Sequence, residues 1–392
     1  MSRSFLIIID GLGIGAQEDS AKYGDEGADT LGNVSRIGKA NLPNFELLGL
    51  GNIKPLDSVQ STKNPIGYFG KMREQSAGKD STTGHWELAG IELKTPFPTY
   101  PNGFPKQIID EFCNLTDSES VLCNLPYSGT QVIDDFGTEH LKTGNPIVYT
   151  SADSVFQVAC HVDVTPIDKL YEWCETARAN ILIDRHAVGR VIARPFTGIP
   201  GDFERISEQR HDFSLTPPEP NLLTLLQNKG ISTYSIGKII DLFAGKGFNQ
   251  YRRTKSNAEG ISQLLSLMSA GVKNSFTFVN LIDTDQIYGH RQDPVGFARC
   301  LEEIDRALPA MIEKLNIGDL MIITGDHGND PADNSTDHSR EFVPLLVIRK
   351  GDDNCKSLGI RDSFSDVALS ILEYHQVQNE LNGTSFLSEL QQ

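Results

Sequence analysis

The stretch Thr324 to Glu341, TGDHGNDPADNSTDHSRE, gathers Asp326, His327, Asp330, Asp333, Asp337 and His338. Gly, Asn and Pro run through it, which excludes a regular helix. His327 follows Asp326 directly and His338 stands eleven residues on, so the three can converge if the loop folds back. Neutral imidazole with carboxylate suits zinc, manganese or iron better than calcium or magnesium alone. The plainer reading is a polar surface loop capping a helix. Here the Asp-His pair follows a buried apolar run, and that favours a metal site.

Two other acidic positions have the same setting. In DTDQIYGHRQDP, Asp285 and His290 are five residues apart with Gly289 between them, so a turn could aim both at one ion. A helix N-cap at Asp283 or Asp285 is the competing role. Asp10 opens the Asp-Gly pair of IIIDGLGIG, which alone is a common turn dipeptide. Phe5–Ile9, the run SFTFVNLI and Leu320–Thr324 all read as strands buried on both faces of a parallel sheet. Each ends in an acid, and ligands of open α/β sheets bind at the carboxyl ends of strands. Asp10, Asp285, His290, Asp326, His327 and His338 are too many ligands for one catalytic ion with an open position, but they suit two. Paired ions recur in phosphoryl transfer, which also calls for a nucleophile. GKDSTTGHWELAG supplies Ser81, Thr82 and Thr83 after Asp80. A helix N-cap is the structural reading of that stretch. The two roles are compatible, because a hydroxyl at a helix N-terminus lies where free N–H groups hold a phosphoryl group.

The elements that must position these residues alternate. Strand patterns at 232–238 and 342–348 are separated by helical patterns at 221–229, 258–271 and 296–315, giving an α/β chain. A length of 392 residues favours two domains. The middle, richer in turns and Pro, is expected to be an inserted domain over 96–215, with the metal-binding domain formed from 1–95 and 216–392. A net charge of −17 argues against a nucleic-acid partner and requires any phosphate site to carry its own local cations. No apolar run reaches membrane-spanning length, and no secretion signal is visible. The six cysteines are scattered with no CxxC pair, which fits a reduced cytoplasmic setting.

IIIDGLGIG, GKDSTTGHWE, TSADS, GRVIARPF, RHDFSL, IGKIIDLFAGKG, RTKSN, DTDQIYGHRQDP and DHGNDP…TDHSREFVPLL together resemble the bacterial phosphopentomutases of the alkaline phosphatase superfamily, nearly end to end and in consistent order. The resemblance implies an alkaline-phosphatase-like core, with a mainly parallel sheet flanked by helices and a smaller α/β cap domain closing over the substrate. It implies that Asp10, Asp326 and His327 hold one manganese ion and Asp285, His290 and His338 a second. Ser81 would be the phosphoryl carrier, where better-known members have threonine; Thr82 and Thr83 stand alongside. Ser151, Asp153, Val155, Arg190 and Ile192 of the cap, with Lys238 of the core, would line the sugar-phosphate site. The implied reaction interconverts ribose 1-phosphate and ribose 5-phosphate, and the 2-deoxy pair, after priming by a sugar bisphosphate of the glucose 1,6-bisphosphate type. The partners are then small pentose phosphates, with no nucleic acid or membrane, and a monomer is the favoured state. A metal-dependent phosphatase, a mutase of another phosphate such as phosphoglycerate, and a non-catalytic phosphosugar-binding protein are the alternatives that residue chemistry alone leaves open.

Overall fold

The computed structural model describes residues 2–151 and 153–390. The chain divides into two compact units, one of residues 1–95 with 217–392 and one of residues 96–216. In chain order the strands are β1 (Arg3–Ile9) and β2 (Tyr68–Met72); then β3 (Leu122–Pro126), β4 (Ile147–Thr150), β5 (Val155–His161), β6 (Arg190–Ile199), β7 (Asp202–Arg205) and β8 (His211–Ser214); then β9 (Ser232–Ile236), β10 (Gln250–Arg252), β11 (Ser275–Leu281), β12 (Leu320–Thr324), β13 (Val343–Arg349) and β14 (Ser357–Arg361).

The first unit holds an eight-stranded sheet in the order β10-β9-β11-β1-β12-β13-β2-β14. Every pairing is parallel except the two made by β13. β1 is central, paired in register with β11 (Arg3 opposite Ser275) and with β12 (Ser4 opposite Leu320). Its apolar run is buried on both faces because both faces are covered. Phe5, Ile7 and Ile9 join a core with Leu264 and Met268 of the Asn257–Ala270 helix and with Leu301, Ile304 and Leu308 of the Pro294–Glu313 helix. Each such side chain stabilises the fold by roughly 1.5–3 kcal/mol. The parallel strands β1, β11 and β12 therefore deliver their carboxyl ends, with Asp10, Asp285 and Asp326 just beyond, to one edge of the sheet.

The second unit has a sheet ordered β3-β4-β5-β6-β7, with β8 pairing β6. One face, with Val148, Phe156, Val158 and Val191, packs on the Lys106–Thr116 and Ile167–Asn180 helices. The other, with Ile147, Tyr149, Ala159 and Phe196, packs on Val132 and Ile133 of the Gln131–Thr143 helix.

At the amino end of β1, away from the acidic edge, the buried His375 ring meets Ser4 Oγ at 2.7 Å and Ser2 Oγ at 3.3 Å. Burial pulls its pKa down to about 4. The folded protein thus keeps His375 neutral to about pH 4, whereas the unfolded chain takes up the proton near pH 6.5, so stability falls as pH drops through that window. Urea denaturation at pH 7 and pH 4 should show His375→Asn losing about 3 kcal/mol less than the wild-type protein over that interval. Equal losses would mean that His375 does not contribute.

Candidate metal centre

The Thr324–Glu341 segment is held by one antiparallel bridge between Gly328 and Ser339. Gly328 N donates to Ser339 O at 3.0 Å and Ser339 N to Gly328 O at 2.8 Å. The bridge folds the loop back on itself and sets the His327 and His338 rings 4.0 Å apart. Buried Glu341 anchors the same turn, accepting from Gly15 N, Thr30 N, Thr30 Oγ1 and Ser339 Oγ at 2.6 to 2.9 Å.

Two groups of convergent ligand atoms result: Asp10, Asp326 and His327; and Asp285, His327 and His338. His327 faces both. His290 reaches the second group through Asp285, with Nε2 at 3.4 Å from Oδ2, and its ring lies 4.8 Å from that of His338. The imidazoles are oriented for ligation. His327 Nδ1 lies 3.1 Å from Gly328 O, and His290 Nδ1 lies 2.7 Å from Thr336 O. A nitrogen facing a carbonyl carries the hydrogen, so on each ring Nε2 is the atom turned to the carboxylates, and it becomes a ligand once a cation displaces its proton. Asp10 Oδ1, Asp326 Oδ2 and His338 Nε2 are buried and make no well-aligned hydrogen bond among the described residues, though each faces an imidazole or carboxylate at 3.0 to 3.4 Å. Buried acceptors left open in convergent groups are what a cation would satisfy, so this donor set fits divalent ions.

The charges around these groups already answer one another. Burial would raise the pKa of Asp326, but His327 and His85 beside it hold the carboxyl well below its usual range. Burial likewise opposes ionisation of Asp285, and His290 and His338 overcome it. Asp285 in turn lifts His290 to about 9. For Lys238, burial is outweighed by Asp10, Asp285 and Asp326, so its pKa is raised.

Ser81 begins the Ser81–Leu88 helix. Asp80 caps that helix, accepting from Thr82 N and Thr83 N, and also receives the Thr83 hydroxyl. Ser81 Oγ instead lies 3.1 Å from both His327 Nε2 and Lys238 Nζ, and Lys238 Nζ is 2.7 Å from Asp10 Oδ2. Of the three adjacent hydroxyls, Ser81 is thus the one set against the ligand groups. The helix approaches Asp326 so closely that a Cβ on Gly84 would lie 2.0 Å from the Asp326 carbonyl oxygen.

Of the predicted substrate residues, Ser151, Asp153, Val155, Arg190 and Ile192 fall in the second unit. Ser151 Oγ accepts from Asp153 N at 3.3 Å, Arg190 lies 3.5 Å from Asp153, and Val155 pairs with Arg190 and Gln157 with Ile192 across β5 and β6. Lys238 lies in the first unit, at Asp10 and Ser81. Asp330 and Asp337 serve the loop: Asp330 accepts from Asp29 N and Asn33 Nδ2 at 2.8 Å, and Asp337 pairs with Lys79 at 3.4 Å.

Sequence reading missed the residues that hold the ligands. His85 Nδ1 stands 3.0 Å from Asp326 Oδ2, and Asn280 Nδ2 donates to Asp10 Oδ2 at 2.9 Å while lying 3.2 Å from His85 Nε2. Asn329 Nδ2 donates to Asp285 Oδ1 at 2.7 Å. His85 follows Ser81 by one helical turn, a spacing that could have pointed to it.

A family model described as the Metalloenzyme superfamily matches residues 2–379. The fold and the ligand edge define an α/β metalloenzyme. The chain is 50% identical over 392 residues to a phosphopentomutase of Dictyoglomus turgidum, covering 100% of this chain and 98% of the relative. It is 50% identical over 390 residues to that of Caldanaerobacter subterraneus subsp. tengcongensis, with 100% and 98% covered. The chain belongs to the phosphopentomutase family. Among solved structures, the Leishmania mexicana phosphoglycerate mutase at low cobalt concentration superposes with a TM-score of 0.50 at 13% identity, over 97% of both chains, a likeness of fold.

Removing a partner that orients a ligand typically lowers metal affinity 10–100-fold. His85→Ala and Asn280→Ala should each weaken divalent-ion binding by about that factor, read by calorimetric titration. Unchanged affinity in both would show that they only fill space.

Proposed function

We propose that the protein is a phosphopentomutase, an isomerase that acts by phosphoryl transfer between ribose 1-phosphate and ribose 5-phosphate and between their 2-deoxy counterparts. Identity of 46–50% with phosphopentomutases over the full chain supports the activity. The observation that carries the mechanism is Ser81 Oγ, set 3.1 Å from both His327 Nε2 and Lys238 Nζ at the ligand groups.

In this reading Asp10, Asp326 and His327 hold one manganese ion and Asp285, His290 and His338 the other, with His327 facing both groups. When bound, the ions supply positive charge to the transferring phosphoryl group and acidify the serine hydroxyl. Ser81 carries the phosphoryl group, gives it to the free hydroxyl of the pentose phosphate, and recovers the other phosphoryl group from the bisphosphate. A sugar bisphosphate primes it. Lys238 adds a fixed cation at Ser81, and the positive end of the helix dipole lies at the same residue. Arg190 and Asp153, with Ser151, Val155 and Ile192, recognise the sugar phosphate. The unit of residues 96–216 serves as a cap that excludes water, which separates a mutase from a phosphatase. The proposed location is the cytoplasm and the proposed state a monomer; among the described residues no helix is long and apolar enough to cross a membrane.

Ser81→Ala should lower turnover by at least about 10³-fold and leave no phosphopeptide spanning Ser81–Thr83 after treatment with glucose 1,6-bisphosphate. Chelation should abolish activity, and manganese should restore it. Free phosphate without ribose 1-phosphate from ribose 5-phosphate would overturn the mutase reading, and full turnover by the Ser81→Ala protein would overturn the nucleophile.

A further inference from the structure

The segment that returns His338 to the ligand edge also carries a buried arginine. Arg340 lies two residues past His338, between the Gly328–Ser339 bridge and Glu341, and only 3% of it is exposed. Its guanidinium engages a distant stretch of chain, the one that leads into Ser81. Nη2 donates to Glu74 O at 2.7 Å, and Nη1 donates to Ser76 O at 2.8 Å and to Gly78 O at 2.7 Å. Nε and Nη2 also reach the Asp19 carboxylate at 3.2 Å, and Nη1 stands 2.8 Å from Glu74 Oε2. All three nitrogens therefore have acceptors.

The other side of that stretch is held in a complementary way. Gln75 N and Ser76 N donate to the Glu87 carboxylate at 2.6 to 3.0 Å. Glu87 belongs to the Ser81–Leu88 helix itself. The turn from Glu74 to Gly78 thus gives alternate carbonyls to a guanidinium and the N–H groups between them to a carboxylate. Only Lys79 and Asp80 separate Gly78 from Ser81. Lys79 Nζ pairs with Asp25 Oδ1 at 3.0 Å, and Asp25 Oδ2 accepts from Arg340 N at 2.8 Å. Arg340 therefore meets the approach to Ser81 through its side chain directly and through its backbone by way of Asp25 and Lys79. A buried arginine on carbonyls is commonly no more than a clamp for the fold. What sets this one apart is what it joins: the segment that carries His338 and the segment that carries Ser81.

We infer that Arg340 is a positioning residue. It sets Ser81 against the ligand groups by fixing the Glu74–Gly78 carbonyls, and through it ion binding at His338 tightens the approach to Ser81. The part played by Ser81 rests on the proposed mutase reaction; the tie between the two segments does not. Lysine cannot reproduce this tie, because a single ammonium on a flexible stem lacks the planar fork that spans three carbonyls.

The test uses full-length protein loaded with manganese. Arg340→Lys should lower kcat for ribose 5-phosphate about 10²-fold with KM held within about twofold, because the nucleophile is displaced while the substrate's own contacts are untouched. Phosphorylation of Ser81 by glucose 1,6-bisphosphate should slow by the same factor. An arginine that only stabilises the fold would lower the melting temperature and leave both rates of the folded protein unchanged, and that result would overturn the inference. Hydrogen exchange at the amides of residues 75–78, read by mass spectrometry, gives an arm free of turnover. Manganese should slow that exchange at least about fivefold in wild type and leave it unchanged in Arg340→Lys. No response in wild type, or an equal response in the variant, would show that Arg340 does not link the segments. If Arg340→Lys does not fold, Asp19→Asn, which takes a charged acceptor from the same fork, should give smaller losses in the same measurements, and no loss would again overturn the inference. A wild-type protein that fails to interconvert the pentose phosphates yet shows the arginine-dependent exchange response would refute the mutase reading and leave the link standing.

Discussion

Carboxylates buried side by side cannot stand alone. Asp10 and Asp326 present oxygens within 4.8 Å of one another and of His327, and neither side chain is exposed. At about 4 Å and an effective dielectric near 20, two like charges repel by roughly 4 kcal/mol before desolvation is counted. In the protein alone, Lys238, His327 and His85 meet this field, which is why Lys238 and His327 are held charged against the pull of burial. The site thus concentrates negative charge, answered by bases that could yield to cations. The backbone N–H that Gly11 gives to Asp326 and the Asn280 amide on Asp10 fix which oxygens remain open.

Positioning that charge falls to the parallel sheet. β1, β11 and β12 run together, so their carboxyl ends place three acids from distant parts of the chain at one edge without any of the strands having to bend. The Gly328–Ser339 bridge then returns His338 to the same edge, and Glu341 ties that return to the loop after β1 and to Thr30. A helix packed within backbone contact of Asp326 carries Ser81 in, which only a residue without a side chain at position 84 allows.

The parts of this arrangement legible in the sequence were those with a period or a punctuation. Apolar runs ending in Asp marked β1, β11 and β12, and the Gly- and Asn-rich loop announced a turn back. Short or half-polar strands left little trace: β10 and β14 lack an apolar run, and nothing local declares that β13 runs against its neighbours. Asn280, and His85 apart from its one-turn spacing from Ser81, were hard to read for a different reason. Each sits in an element whose pattern already explained it, a helix and a buried strand, and its link to Asp326 or Asp10 exists only through long-range contact.

The placement of β1 also bears on how the chain comes into being. Both of its partners, β11 and β12, begin about 270 residues or more after it. At about 5–20 residues per second, a ribosome leaves this apolar strand without neighbours for roughly 15 to 55 s. The unit of residues 96–216 is complete in sequence long before then and can fold first. The other unit cannot assemble both groups that could hold a cation until residues past 338 have emerged, because these groups draw on positions 10, 285, 326, 327 and 338. A cation bound there is therefore a seal on synthesis: it can be captured only by a chain whose first strand has found its last partners.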